Sequence, residues 1–127
     1  MTRTKFSKTW NKSTQPRKQR KYRYNSPLHI KNKFMSVHLS KPLKEKYKKR
    51  NTTIRKGDSI NVLRGKFKGK TGKIDRVDLK KTKVYITGIE LTKKDGTKAF
   101  YPFVPSNLII TELNLEDKKR VKSLERK

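Results

Sequence analysis

Arg64, Lys66, Lys68 and Lys70 stand on alternate positions of a short stretch interrupted by Gly65 and Gly69. Glycine lets a chain turn tightly and bring its backbone close to another surface. Cations around such a compact loop, with its exposed amides, suit phosphate oxygens. The same chemistry recurs upstream, where Arg17, Lys18, Arg20, Lys21 and Arg23 surround Tyr22, and Tyr24 follows. Tyrosines set among cations either stack on unpaired bases or pack against a core. His29, Lys31, Lys33, Arg55 and Lys56 extend the set of candidate contacts. Phe67, at the tip of the glycine loop, either meets a base or covers the end of a sheet.

Nothing comparable is arranged for catalysis or for a metal. The chain has no cysteine, which excludes disulfides, thiolate zinc sites and cysteine nucleophiles. Its two histidines, His29 and His38, lack companion ligands at metal spacing. Asp58, Asp75 and Asp78 lie among lysines and arginines and read as surface ion pairs. No Gly-x-Ser-x-Gly is present, and no Gly-x-x-x-x-Gly-Lys-Ser/Thr opens a helix. The expectation is therefore a binding protein with no enzyme activity, no cofactor and no metal.

Charge says what is bound. The 127 residues carry 37 Lys+Arg against 10 Asp+Glu, a net charge of +27. Such a surplus repels itself in an isolated globule and becomes favourable against a polyanion. Residues 1–56 hold 19 of the cations and a single acid, Glu45; residues 57–127 hold 18 cations and nine acids. The first half reads as a basic arm and the second as a domain. An anionic membrane would need a long apolar face opposite the cations, which is missing. No apolar run approaches a membrane span, and the polar start, Met1 to Asn11, is no secretory signal; it also lacks a transit peptide's amphipathic pattern.

The elements that must position these cations follow from periodicity. Met1 to Lys21 has no apolar period and is expected to be disordered without a partner. Ser26 with Pro27 suits a helix start, and Leu28, Ile30, Phe34 and Met35 suit one apolar stripe. A second short helix starts at Ser40 and Pro42, with Leu43 and Tyr47 a turn apart. From Ile54 the period changes to alternation: Ile60 and Val62 mark a strand, and a second strand runs from Lys73 to Leu79. Within it the parity slips between Ile74 and Val77, which a β-bulge would correct. Lys83 to Leu91 slips likewise at Gly88. Asp95-Gly96 signals a hairpin, Leu108 to Leu113 a last strand, and Glu116 to Arg126 a terminal helix. The predicted core is Ile60, Val62, Ile74, Val77, Val84, Ile86, Phe100 and Phe103. The reading is mainly β: a small SH3-like barrel, with a small sandwich as the competing fold. It carries a basic extended N-terminal arm, short flanking helices and a C-terminal helix. The divisions are 1–53 (extension), 54–113 (barrel) and 114–127 (helical tail).

Residues 55–74, with Gly57-Asp58 leading into Val62 and then Gly65, Gly69, Gly72 and Ile74, resemble the KOW motif of ribosomal proteins and transcription elongation factors. The four glycines are structural turn formers first. An elongation factor is the alternative, but such factors usually place an α/β domain before the motif, and residues 1–54 lack its patterning. The flanks are closer to another family. Pro16 to His29, Met35-Ser36, Phe100-Tyr101-Pro102, Pro105 to Leu108 and Leu113 to Asp117 are similar to the universal KOW protein family of the large ribosomal subunit. The likeness is to its archaeal and eukaryotic type, numbered L-twenty-four in archaea and L-twenty-six in eukaryotes, and is closer to the archaeal form. It covers residues 16–126. It implies a structural constituent that binds the 5′ region of large-subunit rRNA, acts early in assembly and sits near the nascent-chain exit. It also implies neighbouring ribosomal proteins as partners, a monomeric state within the ribosome and a cytoplasmic location.

Overall fold

The computed structural model describes residues 6–126. Met1 to Lys5, the start of the stretch expected to be disordered, lie outside the described residues.

The chain opens with helix α1, Pro16–Asn25, and then α2, Leu28–Phe34. Pro16 suits the first helical position because its missing N–H would have no partner there. Residues 16–21 are thus helical rather than an extended tail. Ser26 does not cap α2 as expected. Its hydroxyl turns back and donates to the Tyr22 carbonyl at 2.5 Å, closing α1, and Pro27 takes the capping position of α2. Of the expected stripe, Ile30 and Met35 are buried, Phe34 is half-buried and Leu28 faces outward. Helix α3, Lys41–Tyr47, starts after Ser40 as the sequence indicated, although the Ser40 side chain makes no capping bond.

Strand β1, Ser36–Leu39, and β2, Asn51–Thr53, belong to the same sheet as β3, Ser59–Val62, β4, Thr71–Asp78, and β5, Lys83–Ile86. A hairpin follows, β6, Glu90–Thr92, with β7, Lys98–Phe100, turning at Asp95-Gly96. A 3-10 turn, Pro105–Asn107, leads into β8, Leu108–Glu112, and helix α4, Lys118–Glu125, ends the chain. The six-stranded order is β2-β1-β8-β3-β4-β5. Strands β1 and β8 pair in parallel, His38 with Ile109 and Leu39 with Ile110. The packing therefore does not begin at residue 54. Met35, Val37 and Leu39, assigned to the extension, are fully buried in the core beside Ile60, Val62, Leu108 and Ile110.

This is a mainly β, small SH3-like fold. Its curvature has a local cause. The β4–β5 register shifts between Ile74 and Arg76, the expected bulge, which bends a short sheet strongly. Gly88 adopts φ 79° and ends β5 instead of kinking one longer strand. Val84 then exchanges two hydrogen bonds with Phe103, at 2.9 and 2.8 Å, folding the far edge back toward the segment that enters β8. Gly72 allows the close approach of β4 and β5: a Cβ there would lie 2.6 Å from Ile86 Cγ2 and 3.0 Å from the Thr87 carbonyl. Phe100, predicted as core, is exposed, because the β6–β7 hairpin forms its own two-stranded sheet and places Leu91 and Ala99, rather than Phe100, inward. Val77 is half-buried at the core's margin.

Helix α4 is fastened by charge as much as by Leu124. Arg120 is 5 % exposed and Asp58 0 %. The guanidinium donates to both carboxylate oxygens, at 2.6 and 2.7 Å, and to the carbonyls of Asn114 at 2.8 Å and Thr53 at 3.2 Å. Asp58 also accepts the amides of Arg55 and Asn114, each at 2.9 Å. The surface ion pairs expected of the aspartates are corrected here. Asp58 is a buried anion satisfied on both oxygens, and Asp78 accepts the Lys81 amide within a turn. The sequence hid this because Asp58 follows Lys56 and Gly57, whereas its cation stands 62 residues away.

Candidate nucleic-acid interface

The glycine loop is built from β3 and β4. Val62 donates to the Lys70 carbonyl at 2.9 Å, and Gly69 returns a bond to the Val62 carbonyl at 2.8 Å. Within it, Lys68 donates to Gly65 and Lys70 to Phe67, each at 3.1 Å. Three amides expected to face a ligand, those of Lys68, Gly69 and Lys70, are thus used to fix the loop. Gly65 and Gly69 have φ of 94° and 83°, and a Cβ at either would meet nothing within 4 Å. Their requirement is conformational: they turn the loop so that Arg64, Lys66, Lys68 and Lys70 all stand exposed.

Of the two readings of Phe67, its burial favours covering the end of the sheet over meeting a base. It is 7 % exposed, with Tyr101 4.9 Å and Phe103 6.0 Å away between ring centroids. The ammoniums of Lys66 and Lys70 lie 5.9 and 5.3 Å from its centroid, so the buried ring supports two of the loop's cations. Phe67→Ala is expected to cost about 3 kcal/mol in denaturant unfolding, since a buried ring leaves a cavity. RNA affinity measured well below the melting range should stay within about twofold; a larger drop without lost stability would restore the stacking role.

A second group of cations lies on α1. Helical spacing puts Arg17, Arg20, Lys21 and Tyr24 along one face. All are exposed, Tyr24 at 83 %. Tyr22 is half-buried between Phe6, 4.9 Å away, and Phe34, 6.1 Å away. It anchors the helix, and Tyr24 is the tyrosine left free to stack. Arg23 lies over the Phe34 ring, and Lys18 over that of Trp10. His29 and Lys33 are exposed on α2, and Lys31 is half-buried.

Arg55 and Lys56 are exposed on the turn before β3, but Arg55 is paired with Asp117, whose carboxyl is held below its ordinary range chiefly by that hydrogen bond. Arg55 is therefore already engaged with an anion. Gly57 lies against Asn114, where a Cβ would come within 2.7 Å of the amide nitrogen. Two exposed residues lie outside the candidate contacts read from the sequence. Arg76 stacks 4.4 Å over Tyr85, presented by the β4 bulge, and Trp10 is 67 % exposed. Among the described residues no hydrogen bond or ring contact joins α1 to the glycine loop. No group of His, Cys, Asp or Glu among them could hold a metal ion, and no helix is long and apolar enough to cross a membrane.

A small SH3-like sheet carrying exposed cations on a Gly65–Gly69 loop defines a KOW-motif protein. The chain belongs to the family of large-subunit ribosomal proteins numbered L-twenty-six in eukaryotes and L-twenty-four in archaea, whose profile matches residues 13–127. Large ribosomal subunit protein uL24 of Methanosphaera stadtmanae is 49% identical over 115 residues, which cover 91% of this chain and 98% of that protein.

Proposed function

We propose that this structural protein of the large ribosomal subunit binds the 5′ region of large-subunit rRNA directly, assists early subunit assembly and sits near the nascent-chain exit. The observation that carries this is the loop from Arg64 to Lys70. The Lys68, Gly69 and Lys70 amides fix the loop and its glycines are unhindered, and its cations all face solvent. A fold that spends this much backbone order on displaying like charges needs a polyanion to offset their repulsion. Contacts of this type fix position and register without reading sequence. The α1 cluster adds a second set of phosphate contacts. Neighbouring large-subunit proteins are the further partners, the protein acting as a monomer within the cytoplasmic ribosome.

The test is a triple variant, Arg64→Ala, Lys66→Ala and Lys68→Ala, titrated against a transcript of the 5′ rRNA domain across a salt series. Losing three phosphate contacts should shallow the log–log salt slope by about 2–3. An unchanged slope with unchanged affinity would remove the loop from the interface. In a lysate, the parent protein should stay with large subunits after a high-salt wash on a gradient.

A further inference from the structure

Residues before α1 fold back on it and form a cleft that shares Lys18 and Lys21 with the helix's candidate phosphate contacts. Its volume is about 380 Å³, and its walls include Phe6, Trp10, Lys18, Lys21, Tyr22 and Asn25. The helical wall has a regular origin: Lys18, Lys21, Tyr22 and Asn25 recur at i, i+3, i+4 and i+7, one face of α1. The opposite wall is held by Gln19. Its side-chain amide donates to the carbonyls of Asn11 at 3.0 Å and Ser13 at 2.7 Å, tying the loop to the helix. Phe6 packs on Tyr22, and the Lys18 ammonium sits 5.4 Å from the Trp10 ring centroid. Trp10 remains 67 % exposed. Residues 6–12 precede the segment matched by the family profile.

Resting on the RNA-binding reading, we infer that this cleft takes one unpaired nucleobase of RNA, stacked on Trp10, with its phosphate on Lys18 and Lys21. The cleft lies within the size range of small-molecule sites. Its chemistry combines aromatic faces with cations at the edge, the combination that holds single strands by stacking and charge. Asn25 offers the base edge both a donor and an acceptor. No acid precedes Glu45 in the chain, so nothing near in sequence competes for the lysines. A base entering over the indole displaces the Lys18 ammonium toward the phosphate that arrives with it.

Trp10 is the protein's single tryptophan, so its fluorescence reports the cleft alone. The full chain is titrated with single-stranded oligoadenylate, a blunt RNA duplex and inorganic polyphosphate, with binding followed in parallel by anisotropy of labelled RNA and competition. Stacking predicts quenching by oligoadenylate and little change with duplex or polyphosphate at equal saturation. Trp10→Leu should shift the ratio of oligoadenylate to duplex affinity by about tenfold, the usual effect of losing one stacked base. Gln19→Ala keeps the reporter and releases the loop, and should lose most of the quench. Equal quenching by all three polyanions, or oligoadenylate binding with no quench, overturns the cleft's role and leaves the proposed rRNA binding standing. Failure to bind any RNA overturns that proposal itself.

Discussion

Asp58→Ala is expected to destabilise the protein by about 3–5 kcal/mol, because it leaves the Arg120 guanidinium buried without its anion. For a chain of this size that lowers the melting temperature by on the order of 10–20 °C. Arg120→Met should cost a similar amount from the other side, stranding Asp58 at 0 % exposure. The double variant should cost less than the two singles combined, since no uncompensated charge remains. It should not return to the parent's stability. The amides of Arg55 and Asn114, and the carbonyls of Asn114 and Thr53, would still lose their partners. Thermal unfolding of the four proteins in one buffer completes the cycle. Strict additivity would mean that α4 is held by Leu124 and its surroundings, and that the ion pair contributes no coupling.

The second large effect concerns affinity. If both cation clusters touch phosphates, changing Arg17, Arg20, Lys21, Arg64, Lys66 and Lys68 together to alanine removes about six contacts. The salt slope should then fall by about 4–5, so between about 50 and 200 mM salt the parent should lose about three more decades of affinity for the 5′ rRNA domain than the variant. A fall of only about 2–3, the value for the loop alone, would place α1 off the RNA. All six residues are exposed, and among the described residues none of them takes part in a hydrogen bond between side chains. Circular dichroism should show the sheet intact, so weakened binding would not be a folding defect.

Local signals were legible in the sequence where they could be read from neighbours. The glycine loop, the bulge after Ile74, the Asp95-Gly96 turn and the starts of α3 and β8 each depend on a few adjacent residues. What was not legible depends on distant partners. Val37 and Leu39 alternate properly with Ser36 and His38, but four residues are a weak signal, and their partner strand β8 lies far downstream. Helix α1 has no apolar face for a periodicity argument to find. It forms with Tyr22 set between Phe6 and Phe34, and with Gln19 bonded to the preceding loop. Phe67 looked like a loop-tip aromatic because the rings that enclose it, Tyr101 and Phe103, come from the segment after β7. Of the candidate cations, most stand exposed, whereas Lys31 is half-buried and Arg55 is paired with Asp117, neither of which neighbouring residues reveal. Which aromatics serve the core and which face outward required the fold.

The parallel pairing of β1 with β8 has a consequence for how the protein is made. His38 is synthesised long before Ile109, so although β2 can pair with one edge of β1 early, its other edge must wait for β8 until nearly the whole chain has emerged. Closing so long a loop is entropically costly and slow. Meanwhile Val37 and Leu39 are uncovered and the early cations already seek polyanions. The basic start is therefore exposed over an interval in which the six-stranded sheet still lacks the strand that joins β1 to β3.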